Sequence, residues 1–476
     1  MIDAGARGPG RWIAALVMGV GVSAPIRAQE VPGIALDSVT ARIAVETRKI
    51  IDETGIPAIS IALVRDGDVA WAGAFGLANV GAGVGATPDT YFSTGSTFKF
   101  VTATAIMQLV ERGRTTLDTP LNDVVGPEHA IDGADDVTLR HLLSHHSGLT
   151  GPVNTVPLWS RMAPITPEVL LSRTTRTGPP GTTYRYCNEC YAMLGYVITT
   201  LTGHSYDDYV ADNILAPLEV PVRRPSVPSP AVVEHLALPY NLVNNAPVPV
   251  EQVRYDVFAA GDVYLRAVDM GRFLAMQLGG GRYRDRRLLT ERSVQEMRRQ
   301  QFPDQAYGLG TGLATLDGHD LIQHSGAIPG FNSISIGEPA TGLGVYIMAN
   351  AGQAAKAIAP LARLTMALLW GEHPDPLPGF ASAQHVRVHV DPAVYDDYVG
   401  EYELTPTFIL AVTREGDGLY VQATGQPRFE LYPESETDFF LGVVEASVTF
   451  GRDEAGGPVT HLILHQGGHR RAERRR

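Results

Sequence analysis

The chain has 476 residues, and its 44% hydrophobic and 19% charged residues are typical of a globular protein rather than a disordered one. With 38 basic and 51 acidic residues the formal net charge is −13 at pH 7, which argues against a general nucleic-acid binder. No apolar run reaches the ~20 residues that span a bilayer, and 2 cysteines are too few for a disulfide framework or a cysteine-rich metal cluster. The length predicts two or three domains.

The amino-terminal segment has the parts of a secretory signal peptide. Arg7 and Arg11 precede an apolar stretch over 12–24, and the small residue Ala28 precedes the polar Gln29. We therefore predict a signal peptide over 1–28 and an exported protein, periplasmic or secreted, with no membrane span after its removal. An uncleaved membrane anchor is the alternative.

Taken in chain order, the pattern that follows predicts an α+β protein. It opens with a helix and a hairpin, continues through a mainly helical middle, and closes with a hairpin and a helix. Such an order favours one antiparallel sheet assembled from both ends and flanked by helices, plus a helical lobe. The predicted elements are a helix over 36–53, strands over 58–64 and 69–75, a mainly helical stretch to about residue 215, strands over 331–336 and 343–348, and a helix over 353–370.

The last part of the chain predicts a second, smaller domain. Three prolines between residues 374 and 378, without periodicity, indicate a linker. Short strands separated by turns follow, which predicts a small all-β, barrel-like unit whose arginine-rich end, from Arg470, is a frayed and solvated terminus. The predicted boundaries are 1–28 for the signal peptide, 29–372 for the larger domain, 373–385 for the linker, and 386–476 for the small domain.

The strongest local chemical signal is a serine followed three residues later by a lysine. Ser96 and Lys99 lie at the start of a predicted helix, where residues three apart share one face. A serine hydroxyl is a poor nucleophile unless a base takes its proton, and a desolvated lysine has the lowered pKa that this requires. The helix start also directs backbone N–H groups at developing negative charge. The motif alone occurs by chance in many chains.

Two further motifs strengthen that signal. Tyr186 and Asn188 are two apart in an extended segment and project to the same side. A tyrosine near a lysine can pass a proton, and an asparagine amide can hold both a lysine and a substrate carbonyl. His324 and Gly326 precede the predicted strand at 331, and the glycine lets a substrate backbone approach closely.

In this order, S-x-x-K, Y-x-N and H-x-G resemble the active-site set of the penicillin-recognising serine hydrolases. That family includes class C β-lactamases, D-alanyl-D-alanine carboxypeptidases, D-aminopeptidases and esterases. The segments 56–60, 138–149 and 258–262 also look like the family, so the resemblance covers roughly residues 36–370. It implies a β-lactamase/transpeptidase-like sheet, and the small domain resembles the lipocalin-like barrels appended to some members.

The resemblance implies a role for each matching residue. Ser96 is the nucleophile that forms an acyl-enzyme, Lys99 and Tyr186 form the general-base pair, and Asn188 orients the lysine and the substrate. Tyr186 also protonates the leaving group. Backbone N–H groups of Ser96 and Ala327 form the oxyanion hole.

Substrate-binding residues are implied at His324, Ser325, Gly326 and Ala327. His324 stands where β-lactamases with K-T-G have a lysine that helps to bind the substrate carboxylate. A histidine with its ordinary pKa near 6.5 is mostly neutral at pH 7 but gains a proton toward pH 6. We therefore expect weaker carboxylate recognition, as in the esterases and aminopeptidases of the family.

Other candidate residues favour structural interpretations. The close spacing of three histidines resembles a metal-binding cluster; these are His141, His145 and His146. The matching segment of the family is structural, so we predict no metal and no cofactor. Three states remain open for Cys187 and Cys190: a disulfide, two free thiols and a redox pair. Two free thiols are favoured.

These observations predict an exported, metal-independent serine hydrolase that acts on ester or amide bonds. Its substrate would be a small-molecule, peptide or cell-wall-derived compound, including those that contain D-amino acids. The alternatives are a β-lactamase or D-alanyl-D-alanine carboxypeptidase, and a penicillin-binding sensor that deacylates slowly.

Overall fold

The computed structural model describes residues 35–475 except 154, 159–165, 223–227, 256–257, 381–384, 407, 425, 427, 443–445, 455 and 467. The predicted signal peptide, 1–28, lies outside the described residues. Within the described part of the chain, every helix is too short or too polar to cross a membrane.

A seven-stranded antiparallel sheet forms the centre of the larger unit, in the spatial order β4-β5-β6-β7-β1-β2-β3. Strands β1 and β7 pair in the middle, from Ile59 opposite Ala349 to Val64 opposite Gly344. The first and last hairpins therefore meet in one sheet, which confirms the predicted α+β architecture. The strands are β1 (Ala58–Arg65), β2 (Asp68–Asn79), β3 (Val84–Gly85), β4 (Gly312–Leu316), β5 (His319–Ile328), β6 (Phe331–Glu338) and β7 (Leu343–Ala349).

Helices cover both faces of this sheet because its central strands are apolar on both sides. Side chains of β1 alternate, so that Ile59 and Ile61 pack with the first and last long helices. Ala62 packs on the opposite face, with the helical lobe. The long helices are α1 (Leu36–Thr54), α2 (Lys99–Glu111), α3 (Asn188–Thr202), α4 (Ala267–Leu278) and α5 (Ala355–Trp370).

Shorter elements complete the helical lobe. The short helices and turns are Gly95–Phe98, Leu121–Val125, Leu139–Leu143, Pro167–Ser172, Tyr206–Val210, Ala211–Leu215, Ala216–Leu218, Pro230–Val233, Phe258–Ala260 and Glu291–Met297. The short strand pairs are Phe92–Ser93 with Tyr264–Leu265, Leu149–Thr150 with Thr175–Arg176, Thr155–Pro157 with Val253–Tyr255, Tyr240–Val243 with Ala246–Pro249, and Arg282–Tyr283 with Arg286–Arg287.

The H-x-G motif lies inside a strand rather than ahead of one. His324 pairs with Ser335 and Gly326 with Ser333 in the β5–β6 ladder, and the chain turns only at Pro329 and Gly330. Polar and glycine residues interrupt the apolar alternation here, and this is why the sequence did not indicate the strand.

The carboxyl-terminal unit is a closed eight-stranded barrel, which confirms the predicted all-β domain type. A short 3₁₀ helix, Pro392–Asp397, precedes it. The strands are β8 (Gly400–Thr405), β9 (Phe408–Glu415), β10 (Gly418–Ala423), β11 (Arg428–Pro433), β12 (Asp438–Leu441), β13 (Ser447–Gly451), β14 (His461–His465) and β15 (His469–Arg474).

The arginine-rich end is not a frayed terminus, so that expectation is wrong. It forms β15 and closes the barrel, with Arg474 opposite Tyr402 in β8. Ala472 points inward and is fully buried, while Arg471 lies on the outer surface 2.9 Å from Asp453. Inward and outward side chains alternate about Ala472, as in any β-strand. Carboxylates of the barrel pair with Arg471 and Arg475, and Arg474 donates to backbone carbonyls.

Part of the segment predicted as the linker, 373–385, packs on the larger unit. Leu377 is buried, and its carbonyl accepts a hydrogen bond from Lys49. The Phe380 N–H donates to the Glu53 carboxylate at 2.9 Å. These contacts to α1 hold the segment against the larger unit over 377–380.

Candidate active site

Ser96 lies on a tight turn, Gly95–Phe98, that leads directly into α2. Two other backbone segments approach this turn so closely that only glycine fits. A Cβ on Gly326 would lie 2.9 Å from the Ser96 nitrogen, and one on Gly261 would lie 2.1 Å from the Gly95 oxygen. Strand β5 and the 258–261 turn are thereby brought against the serine.

Lys99 is fully buried beside Ser96, at the first position of α2. Its Nζ lies 3.0 Å from Ser96 Oγ and donates hydrogen bonds of 2.7 Å to Asn188 Oδ1 and to the Ala260 carbonyl. Burial lowers the pKa of Lys99 well below its usual value, against a smaller opposite effect of Glu189. A neutral amine has two N–H donors for the two fixed acceptors, so its lone pair can take the proton of Ser96.

Tyr186 forms the side of the cleft next to this pair. Lys99 Nζ lies 4.8 Å from the centre of the Tyr186 ring, and Tyr186 lines the same cleft as Ser96. The side chain is 40% exposed at the cleft, while desolvation raises the pKa of the hydroxyl. A phenol with a raised pKa keeps its proton at neutral pH, so Tyr186 is suited to donate a proton and Lys99 to accept one.

A disulfide holds the Y-x-N segment. Cys187 and Cys190 are bonded, with Cα atoms 5.3 Å apart, so the expectation of two free thiols is wrong. Cys187 caps α3 and Cys190 lies in its first turn, which brings two residues three apart to a distance that a disulfide spans. The bridge fixes the backbone between Tyr186 and α3.

His145 supports the same segment from behind, a role that the sequence did not reveal. Its ring is fully buried, with its centre 4.3 Å from that of Tyr186. Nδ1 accepts a hydrogen bond of 3.0 Å from the Cys187 N–H, and the His145 carbonyl accepts one of 2.8 Å from the Arg185 N–H. Its φ of +64° is unusual outside glycine.

The other two histidines of the suspected cluster have different partners. His146 Nε2 lies 2.8 Å from Asp304, and His141 Nδ1 lies 3.1 Å from the Thr138 nitrogen. Within the described residues, no group of three or more histidine, cysteine or carboxylate side chains is arranged to hold a metal ion.

The surroundings of the His324 ring differ from those that the sequence led us to expect. Nδ1–H donates to the Ser325 carbonyl at 2.7 Å, and Nε2 accepts from the Tyr307 hydroxyl at 2.9 Å, so both ring nitrogens are occupied within the protein. Burial, with a smaller contribution from Lys99, lowers the pKa of His324 to about 4. The expected protonation near pH 6 is therefore wrong, because the sequence could not show that the ring is desolvated.

A cleft of about 400 Å³ opens over Ser96. Of the predicted site residues, Ser96, Tyr186, Asn188, Ser325 and Ala327 line it, whereas Lys99, Gly326 and His324 do not. The lining residues that sequence reasoning did not assign are Gly95, Val153, Tyr255, Ala260, Gly261, Asp262 and Ile328 from the larger unit, and Gln426, Phe429 and Gln466 from the barrel. Only the 258–262 segment carried a signal, through its resemblance to the family.

Asp262 adds a buried carboxyl to the cleft. It accepts a hydrogen bond of 2.6 Å from the Tyr255 N–H, and burial raises its pKa to about 7. This hydrogen bond holds Tyr255 and Asp262, which both line the cleft, beside each other.

Comparison with known proteins agrees with this geometry. Residues 43–367 match the family model described as Beta-lactamase, and residues 384–474 match one described as a domain of unknown function, DUF3471. Penicillin-binding protein 4 of Amycolatopsis lactamdurans is 31% identical over 340 residues, which cover 67% of this chain and 87% of the relative. Penicillin-binding protein 4* of Bacillus subtilis (strain 168) is 25% identical over 438 residues, or 86% of this chain and 93% of the relative.

The fold comparison extends over both units. A crystal structure of SurE matches with a TM-score of 0.61 and 25% identity, covering 93% of this chain and 100% of that one. Since the family model spans more than half of the chain and contains all three motifs, the chain belongs to the Beta-lactamase family of penicillin-recognising serine hydrolases.

Proposed function

We propose that the protein hydrolyses ester or amide bonds through an acyl-enzyme on Ser96. The observation that carries this proposal is the position of Lys99 Nζ, 3.0 Å from Ser96 Oγ and held by two further acceptors. A buried lysine with those contacts and a lowered pKa is a general base rather than a surface charge.

Acylation would proceed by proton transfer from Ser96 Oγ to Lys99 Nζ as Oγ bonds to the substrate carbonyl carbon. The developing oxyanion lies at the backbone N–H groups of Ser96 and Ala327, next to the start of α2. Tyr186 then gives its proton to the leaving alcohol or amine as the carbon–leaving group bond breaks, and takes one back from Lys99. Deacylation repeats these steps with water as the nucleophile. Water gives a proton to Lys99 as it bonds to the acyl carbon, and Ser96 Oγ is the leaving group that Tyr186 protonates.

The substrates that fit this site best are small uncharged esters or amides, including those of D-amino acids. A neutral His324 with both nitrogens occupied offers no cation where the K-T-G lysine of β-lactamases stands. Recognition of a substrate carboxylate therefore lacks its usual partner at this position.

The second candidate is a β-lactamase, D-alanyl-D-alanine carboxypeptidase or slowly deacylating penicillin-binding sensor. The relatives named penicillin-binding proteins favour it. We also propose export, periplasmic or secreted, from the signal-like segment 1–28.

The experiment is labelling and turnover of the mature protein. Ser96→Ala should abolish the covalent adduct of a fluorophosphonate or a fluorescent penicillin by intact mass. An adduct that persists on this variant contradicts the assignment. Rates on p-nitrophenyl esters, nitrocefin and D-aminoacyl amides then separate the candidates, and a stable penicillin adduct without turnover would favour the sensor.

A further inference from the structure

Two hairpin turns of the barrel reach the catalytic cleft. Gln426 lies between β10 and β11, and Gln466 lies between β14 and β15, both exposed. Together with Phe429 of β11, they line the same cleft as Ser96. The barrel is therefore part of the wall around the nucleophile.

The same three residues also line a second cavity, of about 50 Å³, inside the barrel. Its other walls are aliphatic or aromatic, and none of the described lining residues is charged. Leu464 and Val448, both buried, are examples. The catalytic cleft and the barrel cavity thus share one wall, formed by Phe429 between two uncharged amides.

We propose that the barrel cavity is a subsite for a short, uncharged aliphatic group of the substrate whose reacting carbonyl lies at Ser96. The inference rests on the proposed function and extends it, because it assigns the carboxyl-terminal domain a part in substrate selection. Phe429 would shift to connect the two cavities, with Gln426 and Gln466 at the rim.

The size and lining of the cavity define the group. A water needs about 10–15 Å³ on this scale, and a cavity of about 150 Å³ holds benzene. A cavity of about 50 Å³ suits a chain of about three or four carbons rather than a ring. A charged group would lose most of its hydration with no oppositely charged partner among the described lining residues, so an uncharged group is favoured over a carboxylate or ammonium.

The test uses the full mature protein and p-nitrophenyl esters from acetate to octanoate. Each methylene that enters the cavity should raise kcat/KM about fourfold, the equivalent of ~0.8 kcal/mol. The rise should extend over about three or four carbons beyond those that cross the cleft, with no rise after that. Ala423→Leu fills the cavity from β10 and should flatten this rise while acetate hydrolysis stays within about twofold of the wild type.

The matched control is Ala411→Leu. Ala411 lies on β9, opposite Gln422 of β10 and on the outward side of the barrel. It does not line the cavity. This variant should keep the wild-type chain-length profile. Phe429→Ala removes the wall that the two cavities share and should shift the optimum to longer chains. It serves as the second variant if Ala423→Leu does not fold, and an unchanged optimum in that variant overturns the subsite.

Failure of the subsite and failure of the proposed function give different results. A folded Ala423→Leu protein with the wild-type chain-length profile overturns the subsite, whereas esters hydrolysed independently of Ser96 overturn the proposed function. If esters are not hydrolysed at all, binding of N-methylpentanamide decides the matter by NMR. Shifts of the Leu464 and Val448 methyl signals that Ala423→Leu abolishes support the subsite, and unchanged signals overturn it.

Discussion

Although His145 lies behind the cleft wall, replacing it with alanine should lower kcat strongly. The change leaves the buried Cys187 N–H without its acceptor, which costs about 1–3 kcal/mol. It also removes the ring that packs 4.3 Å from Tyr186. Because a misplacement of ~1 Å can cost about 10²-fold in rate, we expect kcat to fall about 10²-fold while KM changes less than about threefold.

His145→Asn is the matched control. Asparagine tolerates the positive φ at this position, and its carbonyl oxygen can replace Nδ1 as the acceptor for Cys187. We expect it to recover most of the melting temperature but only part of kcat, because the ring beside Tyr186 is still missing. The assay is kcat and KM for p-nitrophenyl acetate together with thermal unfolding. If His145→Ala lowers the melting temperature but leaves kcat unchanged, His145 does not position Tyr186.

Three further predictions concern the groups around Ser96. Lys99→Ala and Tyr186→Phe should each lower kcat about 10²–10⁴-fold on neutral esters, and a change below tenfold for either would contradict its role. Because Lys99 must be neutral to act, kcat/KM should fall as pH drops through its lowered pKa, and no alkaline loss should appear until Tyr186 ionises above its usual range; a profile that falls with rising pH near 8 would refute this. His324→Lys should raise kcat/KM for nitrocefin relative to neutral esters by roughly 3- to 30-fold. In the wild type His324 should add nothing to the pH dependence of that ratio between about pH 5.5 and 8, since its pKa is about 4. Asp262 lines the cleft and has a pKa of about 7, so the comparison is made in the Asp262→Asn background, where a rise toward pH 6 would show that the histidine does titrate there.

The sequence predicted those parts of the site whose geometry is local. Ser96 and Lys99 are three residues apart at a helix start, so their contact follows from helical spacing alone. Tyr186 and Asn188 needed the family resemblance to be placed beside them, because 89 residues separate Asn188 from Lys99. The hairpins at both ends of the larger domain were predicted from pairs of strand-like segments joined by turn residues, and their pairing in one sheet followed from their order.

What the sequence did not predict depends on packing between distant segments. His145 looked like one histidine among three, and its contact with Cys187 exists only because two loops of the helical lobe meet. Gln426, Phe429 and Gln466 carry no chemical signal, and their place at the cleft results from how the barrel docks. Away from the cleft, the two units also pack closely, since a Cβ on Gly352 of the larger unit would lie 2.2 Å from the Gly442 oxygen of the barrel.

One physical cause accounts for the titration behaviour of the whole site. Desolvation favours the neutral form of every group, so it lowers the pKa of Lys99 and His324 and raises that of Tyr186. It likewise raises the pKa of the buried Glu189 to about 7. In a site whose resting groups are shifted toward neutrality, the charges that the proposed mechanism develops on Lys99 and on the substrate oxyanion are the ones that the fixed N–H groups and carbonyls would stabilise. A carboxylate substrate brings a permanent charge beside these same desolvated groups, and this is the physical reason to expect neutral esters and amides to react faster.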